Sequence, residues 1–353
     1  MEERYFRELD VVCPECRKPE PGGMMPETLQ LDCVQSVSHG DIVTGLLSCP
    51  KCQAKYPIIE GVPCVLRDVG GWLQQEVSAS PFNLALPGSF AKLVPEKQPR
   101  TPEAERAFVS AFADFHYGEA DENRSYWKTV MGLTGETKGS VLDLGCSVGR
   151  LAFESGTASL SAGLDLRLSV LVLAERFRRQ GRVAYERRLA ADKFESVENE
   201  CRLSTNVLFI AGNALDPPFR MGSFDRVSAL NLLDNVNAPL MLLGQMDALL
   251  RPGGALILGS PYEWREDITP KAEWFETIGG DSALVLKSLL AGALMPETGL
   301  RYSIESEHSH LAWTIRNHAR YHSRFMSHLI KARKPSADVW KEGIRHGNNA
   351  VSL

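Results

Sequence analysis

Short apolar runs, each closed by a glycine, an acid or an amide, alternate with longer stretches of helical period through residues 140–260. Val141-Leu-Asp-Leu144 runs into Gly145, turns through Gly149 and resumes as Leu151-Ala-Phe153. This pattern reads as a buried strand, a tight glycine turn and a helix start. Ala162-Gly-Leu-Asp-Leu166 reads as a second strand, followed by an amphipathic stretch from Leu168 to Gln180. Val207-Leu-Phe-Ile-Ala211 and Phe224-Asp-Arg-Val-Ser-Ala-Leu-Asn231 supply two more, with the loop Gly212-Asn-Ala-Leu-Asp216 between them. A helical stretch from Pro239 to Leu250, the sharp Arg251-Pro-Gly-Gly254 turn and a strand from Ala255 to Gly259 complete the alternation. Strands that alternate with helices in this way predict an α/β domain with a largely parallel sheet.

Upstream, Thr101-Pro-Glu-Ala-Glu105 is a helix start, with proline in the first turn and acids beside it. Ala107, Phe108, Ala111, Phe112 and Phe115 then share one helical face, and a second helix carries Tyr126, Trp127, Val130 and Met131. Residues 69–100 are rich in proline, glycine and serine and read as a linker; the charged stretch 182–206 reads as a solvated insertion. Residues 29–34 and 42–47 alternate weakly, as short strands would.

At 353 residues, with 44% hydrophobic and 24% charged positions, the chain has room for one sizeable core and a small extra module. No apolar run reaches the roughly 20 residues that span a bilayer. Met1-Glu-Glu-Arg-Tyr-Phe6 has no signal-peptide core. The expectation is a cytoplasmic protein without a membrane partner. A net charge of −5 argues against a broad nucleic-acid footprint. The eight cysteines change the picture most. Cys13 and Cys16 form one Cys-x-x-Cys knuckle, Cys49 and Cys52 another, a spacing suited to a tetrahedral structural zinc site. Four thiolates leave no open position for water or substrate, so catalysis is not expected there.

After the second knuckle, Tyr56-Pro-Ile-Ile-Glu-Gly-Val-Pro63 resembles the end of the Trm112-like zinc-ribbon family. The resemblance implies a zinc-stapled module over residues 1–68, either purely structural or docking a partner protein. Asp143-x-Gly145-x-x-x-Gly149 resembles the first motif of class I S-adenosylmethionine-dependent methyltransferases. Asp165, Asn213 and the Arg-Pro-Gly-Gly turn follow in that family's order. This resemblance implies a Rossmann-like, seven-stranded, mostly parallel sheet over residues 140–335, a helical cap at 101–139 over the cofactor cleft, and a tail at 336–353. It also implies cofactor contacts. Asp143, Gly145, Cys146, Ser147, Gly149 and Arg150 would form the loop, Asp165 and Leu166 the ribose site, Asn213 and Ala214 the adenine site, and Asn231 the methyl end.

Ser260-Pro-Tyr-Glu-Trp264, Asn231-Leu-Leu-Asp234 and Thr314-Ile-Arg-Asn-His-Ala-Arg320 resemble the C-terminal methyltransferase domain of ovothiol synthases. That family methylates an imidazole nitrogen of 5-thiohistidine. By this resemblance Asn231, Asp234 and Tyr262 would be catalytic, and Asp234, Tyr262, Trp264, Arg316 and Arg320 would bind a small-molecule substrate; Tyr117 and Tyr126, on the helices that cover the cleft in the methyltransferase architecture, would face it too. The chain departs from the family in carrying Glu263 for threonine and a zinc ribbon for the sulfur-inserting iron domain. A protein, peptide or tRNA substrate brought by the ribbon, and a catalytically silent scaffold, stand as alternatives.

Overall fold

Apolar strand faces build the two larger sheets among the described residues, and one buried cluster joins them. The computed structural model describes residues 1–17, 26–93, 100–200, 203–296 and 299–336. From residue 337 onward, the expected tail lies outside the described residues.

The N-terminal module opens with α1 (Glu3–Glu8). It continues with an antiparallel sheet of β1 (Gln30–Ser38), β2 (Asp41–Ser48), β3 (Lys55–Ile59) and β4 (Val62–Pro63), in that spatial order. The next segment, expected as a linker, instead forms α2 (Val69–Ala79). Asp68 caps it through Gly71 N–H at 3.2 Å, and Leu73 and Glu76 are buried. Local composition reported Gly70 and Gly71; burial of one helix face overrode it.

Helices α3 (Pro102–Tyr117) and α4 (Asp121–Thr134) form as expected, with Thr101 Oγ1 capping α3 at Ala104 N–H, 3.2 Å. The core then runs β5 (Ser140–Leu144), α5 (Arg150–Glu154), β6 (Leu160–Asp165) and α6 (Leu168–Gln180). The charged insertion is a hairpin, β7 (Val183–Ala190) and β8 (Lys193–Asn199). It is tied to α3 by Tyr185 Oη, which donates to Asp114 at 2.9 Å. Next come β9 (Val207–Ala211), β10 (Phe224–Leu230), α7 (Pro239–Leu249), β11 (Leu250–Ser260), α8 (Phe275–Gly279) and α9 (Ser282–Leu290). A long final hairpin, β12 (Ser303–His318) and β13 (Tyr321–Arg333), ends the fold.

The main sheet has seven strands in the order β12-β13-β11-β10-β5-β6-β9. Strands β11, β10, β5, β6 and β9 are parallel, and β13 runs antiparallel to both its neighbours. This is the Rossmann-like, seven-stranded, mostly parallel architecture. Chain order reverses between β5 and β10, so a crevice opens at the carboxyl ends of those strands.

The small module closes the β9 edge. Cys64 bridges Ala211 in parallel register, and Val65 N–H donates to the Ala211 carbonyl at 2.8 Å. Arg67 Nε reaches Asp216 at 2.8 Å and Arg17 lies 3.2 Å from the same carboxylate. Tyr5, Phe6, Leu47 and Ile58 of the module share one buried cluster with Leu164, Leu208 and Ile210 of the sheet. An open edge strand invites unwanted pairing, and here another part of the chain covers it. Among the described residues, no helix is long and apolar enough to cross a membrane.

Candidate functional site

The turn after β5 places backbone where side chains would not fit. Gly145 has φ +70 and donates its N–H to the Leu164 carbonyl at 2.8 Å. Gly149 has φ +80, and a Cβ there would stand 2.5 Å from the Phe209 ring. Gly149 thus makes room for Phe209. Gly149→Ala should cost about 2 kcal/mol or more of stability, from strained backbone plus overpacking. Urea denaturation measures this, and an unchanged midpoint would refute the packing argument.

Ser147, also at positive φ (+50), donates its N–H to Asp165 Oδ2 at 2.9 Å. Arg167 N–H donates to Asp165 Oδ1 at the same distance. The carboxylate thus ties the glycine turn to the start of α6. Burial raises the Asp165 pKa, and the two amides hold it down.

Asp143, at the heart of β5, is buried and accepts no hydrogen bond among the described residues. Burial lifts its pKa to about 8; Arg226 lowers it and Asp165 raises it further. A buried carboxyl without a donor, on the wall of a cleft, is a place for a cationic group.

That cleft measures about 730 Å³ and runs along the carboxyl edge of the sheet. It brings together Asp143, Gly145, Cys146, Ser147, Asp165, Leu166, Asn213, Ala214, Asn231, Asp234 and Tyr126. At one end Asn213 turns its Oδ1 to Leu215 N–H, 2.9 Å, closing its own loop. At the other, Asn231 is held in the left-handed region (φ +53). Trp313 Nε1 donates to Ser327 Oγ at 2.7 Å, Ser327 Oγ donates to Asn231 Oδ1 at 2.8 Å, and Asn231 Nδ2 donates to Tyr126 Oη at 3.2 Å. Asn231 therefore fastens the hairpin to α4. Around it stand Phe115, Trp127, Trp313 and Phe325, with Phe115–Trp313 ring centres 4.7 Å apart and Trp313–Phe325 stacked at 4.6 Å.

Several expected substrate residues lie elsewhere. Tyr262 sits at φ +56, which turns its ring inward; its Oη shares a 2.7 Å hydrogen bond with His328 Nδ1. Trp264 donates Nε1 to Ser282 Oγ at 3.0 Å and packs on Phe275. Asp234 lines the cleft but is fully buried, and its Oδ2 accepts Glu263 N–H at 2.8 Å, so it staples two loops. Tyr117 Oη donates to the Val148 carbonyl at 3.1 Å, away from the cleft lining. Arg150 pairs with Glu154 at 2.6 Å and lies over Trp127. Arg316 falls between Ile315 and Asn317, which face the cleft, so strand alternation sends it to the other face. Arg320 is exposed beside the hairpin turn.

Residues missed from the sequence line the same cleft: Trp313, Ile315, Asn317, Ser323 and Phe325 of the hairpin, and Trp72 and Gln75 of α2. The odd-numbered alternation Trp313, Ile315, Asn317 was the available signal for the hairpin.

In the small module, the Sγ atoms of Cys13, Cys16, Cys49 and Cys52 all lie within 4.8 Å of one another. The Cys13–Cys52 and Cys16–Cys49 separations are both 3.6 Å, close to the roughly 3.8 Å edge of a tetrahedron with ~2.3 Å metal–sulfur bonds. Tyr56 Oη sits 3.2 Å from Cys13 Sγ, an outer hydrogen bond of the kind that orients a ligating thiolate. The cluster fits a metal ion.

A structure of a candidate methyltransferase from Bacillus halodurans is 17% identical, with a TM-score of 0.41 over 62% of this chain and 100% of that one. A complex of the Haloferax volcanii Trm112 methyltransferase activator with a candidate methyltransferase matches at 17% identity and TM-score 0.40, covering 65% of this chain and 97% of that one. A Methanosarcina mazei S-adenosylmethionine-dependent methyltransferase matches at 18% and 0.39, covering 59% and 97%. No curated protein matches the chain in sequence. The family described as "Methyltransferase domain" matches residues 120–327. That span takes in helix α4, the five parallel strands of the cleft-bearing sheet and most of the final hairpin, more than half the chain, and the protein is a member of the S-adenosylmethionine-dependent methyltransferase family.

Proposed function

We propose that the protein transfers a methyl group from S-adenosylmethionine to a ring nitrogen of a small histidine-derived thiol such as 5-thiohistidine. The observation that carries this is the division of the cleft. One end has the unpartnered Asp143 carboxyl and the Asp165 loop; the other is walled by aromatic rings suited to a flat acceptor. The resemblance at Ser260-Pro-Tyr-Glu-Trp264 and Asn231-Leu-Leu-Asp234 points to the imidazole.

When bound, S-adenosylmethionine supplies an electrophilic methyl group on a positively charged sulfur. Asp143 would face the ammonium of its methionine end, Asp165 the ribose hydroxyls, and Leu166, Asn213 and Ala214 the adenine. The acceptor nitrogen's lone pair forms the new N–C bond as the S–C electrons return to sulfur, and the ring's other N–H proton leaves to solvent. A nitrogen with a free lone pair needs orientation more than deprotonation, so the aromatic walls act by positioning. We also infer that the four-cysteine cluster holds structural zinc, and that the ribbon's surface is the place for any partner protein.

Asp143 sets a pH dependence. In the free protein much of it is protonated at neutral pH, because its pKa stands at about 8. A ligand ammonium favours the carboxylate, so binding releases a proton below that pH. Affinity for S-adenosylhomocysteine should rise with pH towards 8, by at most about tenfold per unit, and Asp143→Asn should flatten the profile. A flat wild-type profile in calorimetry would remove Asp143 from this role.

The function is tested by mass spectrometry of products from S-adenosylmethionine with 5-thiohistidine, histidine, peptides and tRNA. One methyl added to the thiohistidine ring is expected. Methylation of peptide or tRNA alone would replace this reading with substrate presentation by the ribbon. No binding of S-adenosylmethionine would leave a scaffold.

A further inference from the structure

The lip of the cleft after β11 is built from alternating residues with opposite duties. Tyr262 and Trp264 turn inward, held by His328 and Ser282. Pro261, Glu263 and Arg265 line the cleft. The backbone between them is pinned from below: the buried Asp234 takes Glu263 N–H at 2.8 Å, and the Arg265 carbonyl accepts Thr269 N–H at 2.8 Å and Ile268 N–H at 2.9 Å. The lip is therefore a fixed strap that presents an acid and a base two residues apart, roughly 6–7 Å along an extended chain.

Neither charge has an ion-pair partner among the described residues. Elsewhere on the rim, Arg100 pairs with Glu76 and Glu105, and Arg167 lies 3.6 Å from Glu105. Glu263 makes no side-chain hydrogen bond or ion pair among the described residues. Arg265 reaches only Asn235 Oδ1, at 3.2 Å, a neutral acceptor. Both side chains are exposed, and they do not pair with each other. The same cleft is lined by the rings of Phe115, Trp127, Trp313 and Phe325.

We propose that Glu263 and Arg265 form a clamp for the α-ammonium and α-carboxylate of a free amino acid whose ring enters the aromatic chamber. This assigns the acceptor to the class of unblocked α-amino acids, and it rests on reading the cleft as the methyl-acceptor site. An ammonium and a carboxylate on one carbon bridge an acid and a base at this spacing, Arg265 gripping the carboxylate and Glu263 the ammonium. A residue inside a peptide has lost both charges to amide bonds and cannot make either contact. The clamp takes the role expected of Arg316 and Arg320, neither of which lines the cleft.

The test uses the full-length protein saturated with S-adenosylhomocysteine and calorimetric titration with three ligands: 5-thio-L-histidine, its des-amino analogue and its des-carboxy analogue. In the wild type, loss of either charged group should weaken binding about tenfold or more. Glu263→Gln should weaken 5-thio-L-histidine about tenfold yet leave the des-amino analogue unaffected. Arg265→Gln should do the same with respect to the des-carboxy analogue. Each variant should keep wild-type affinity for S-adenosylhomocysteine. Equal weakening of all three ligands by either variant, or no weakening of 5-thio-L-histidine, overturns the clamp.

A parallel titration with the twenty common amino acids separates this inference from the thiohistidine reading. If another free amino acid binds and thiohistidine does not, the clamp stands and that acid enters the same analogue series. If no free amino acid binds while a peptide or tRNA is methylated, the clamp falls.

Discussion

Cys13→Ser should release the metal from the N-terminal module and unfold it. A serine oxygen is a poor replacement for a thiolate, and the free energy of binding structural zinc, about 10–16 kcal/mol in small zinc peptides, is folding free energy for such a module. The loss should not stop at the module. Leu47, Tyr56 and Ile58 share a buried cluster with Leu164, Leu208 and Ile210, so the β9 edge would lose its cover. Arg17 and Arg67 would also leave Asp216, at the end of the loop that carries Asn213 and Ala214. Metal analysis should fall from about one zinc per chain towards none, and hydrogen exchange should rise first in the module and then along β9. Cys33→Ser, outside the cluster, should leave the metal in place. Unchanged metal content in Cys13→Ser would show that the ligand set is wrong.

Asp165→Ala is expected to weaken binding of S-adenosylmethionine by about 1–3 kcal/mol, the cost of removing a charged acceptor. The structure adds a second contribution. Without the carboxylate, the N–H groups of Ser147 and Arg167 lose their acceptor, and Ser147 must hold its positive φ unaided. Asp165→Asn keeps one oxygen as acceptor and should fall between the wild type and Asp165→Ala in both affinity and stability. Calorimetry with S-adenosylmethionine, beside denaturant unfolding, separates the two contributions. An unchanged dissociation constant for Asp165→Ala would end the ribose assignment.

The parallel core was legible because its signals are local. Val207-Leu-Phe-Ile-Ala211 is apolar throughout and Val141-Leu-Asp-Leu144 is apolar but for Asp143, as strands covered on both faces tend to be. The cysteine knuckles were legible because ligand spacing survives in the linear chain. Helix α2 was not, since Leu73 packs into a cluster drawn from β3, α3 and α6, and Glu76 finds its partners in Leu168 N–H and Arg100. Nor was the role of Tyr262: a positive φ at a tyrosine has no signature in composition, and its bond to His328 joins residues far apart in the chain.

By itself, then, the sequence determined the α/β class, the order of its strands and helices along the chain, the glycine turn after β5 and the four-thiol set. These depend on side-chain period and on residues close in the chain. Tertiary structure decided which face of the β12–β13 hairpin meets the cleft, that Gly149 yields to Phe209, that Asp234 is a staple, and that Glu263 and Arg265 stand unpaired at the lip. Those outcomes depend on contacts between segments as much as two hundred residues apart, such as Thr314 N–H with Asn123 Oδ1 at 2.8 Å, and local patterning carries no record of them.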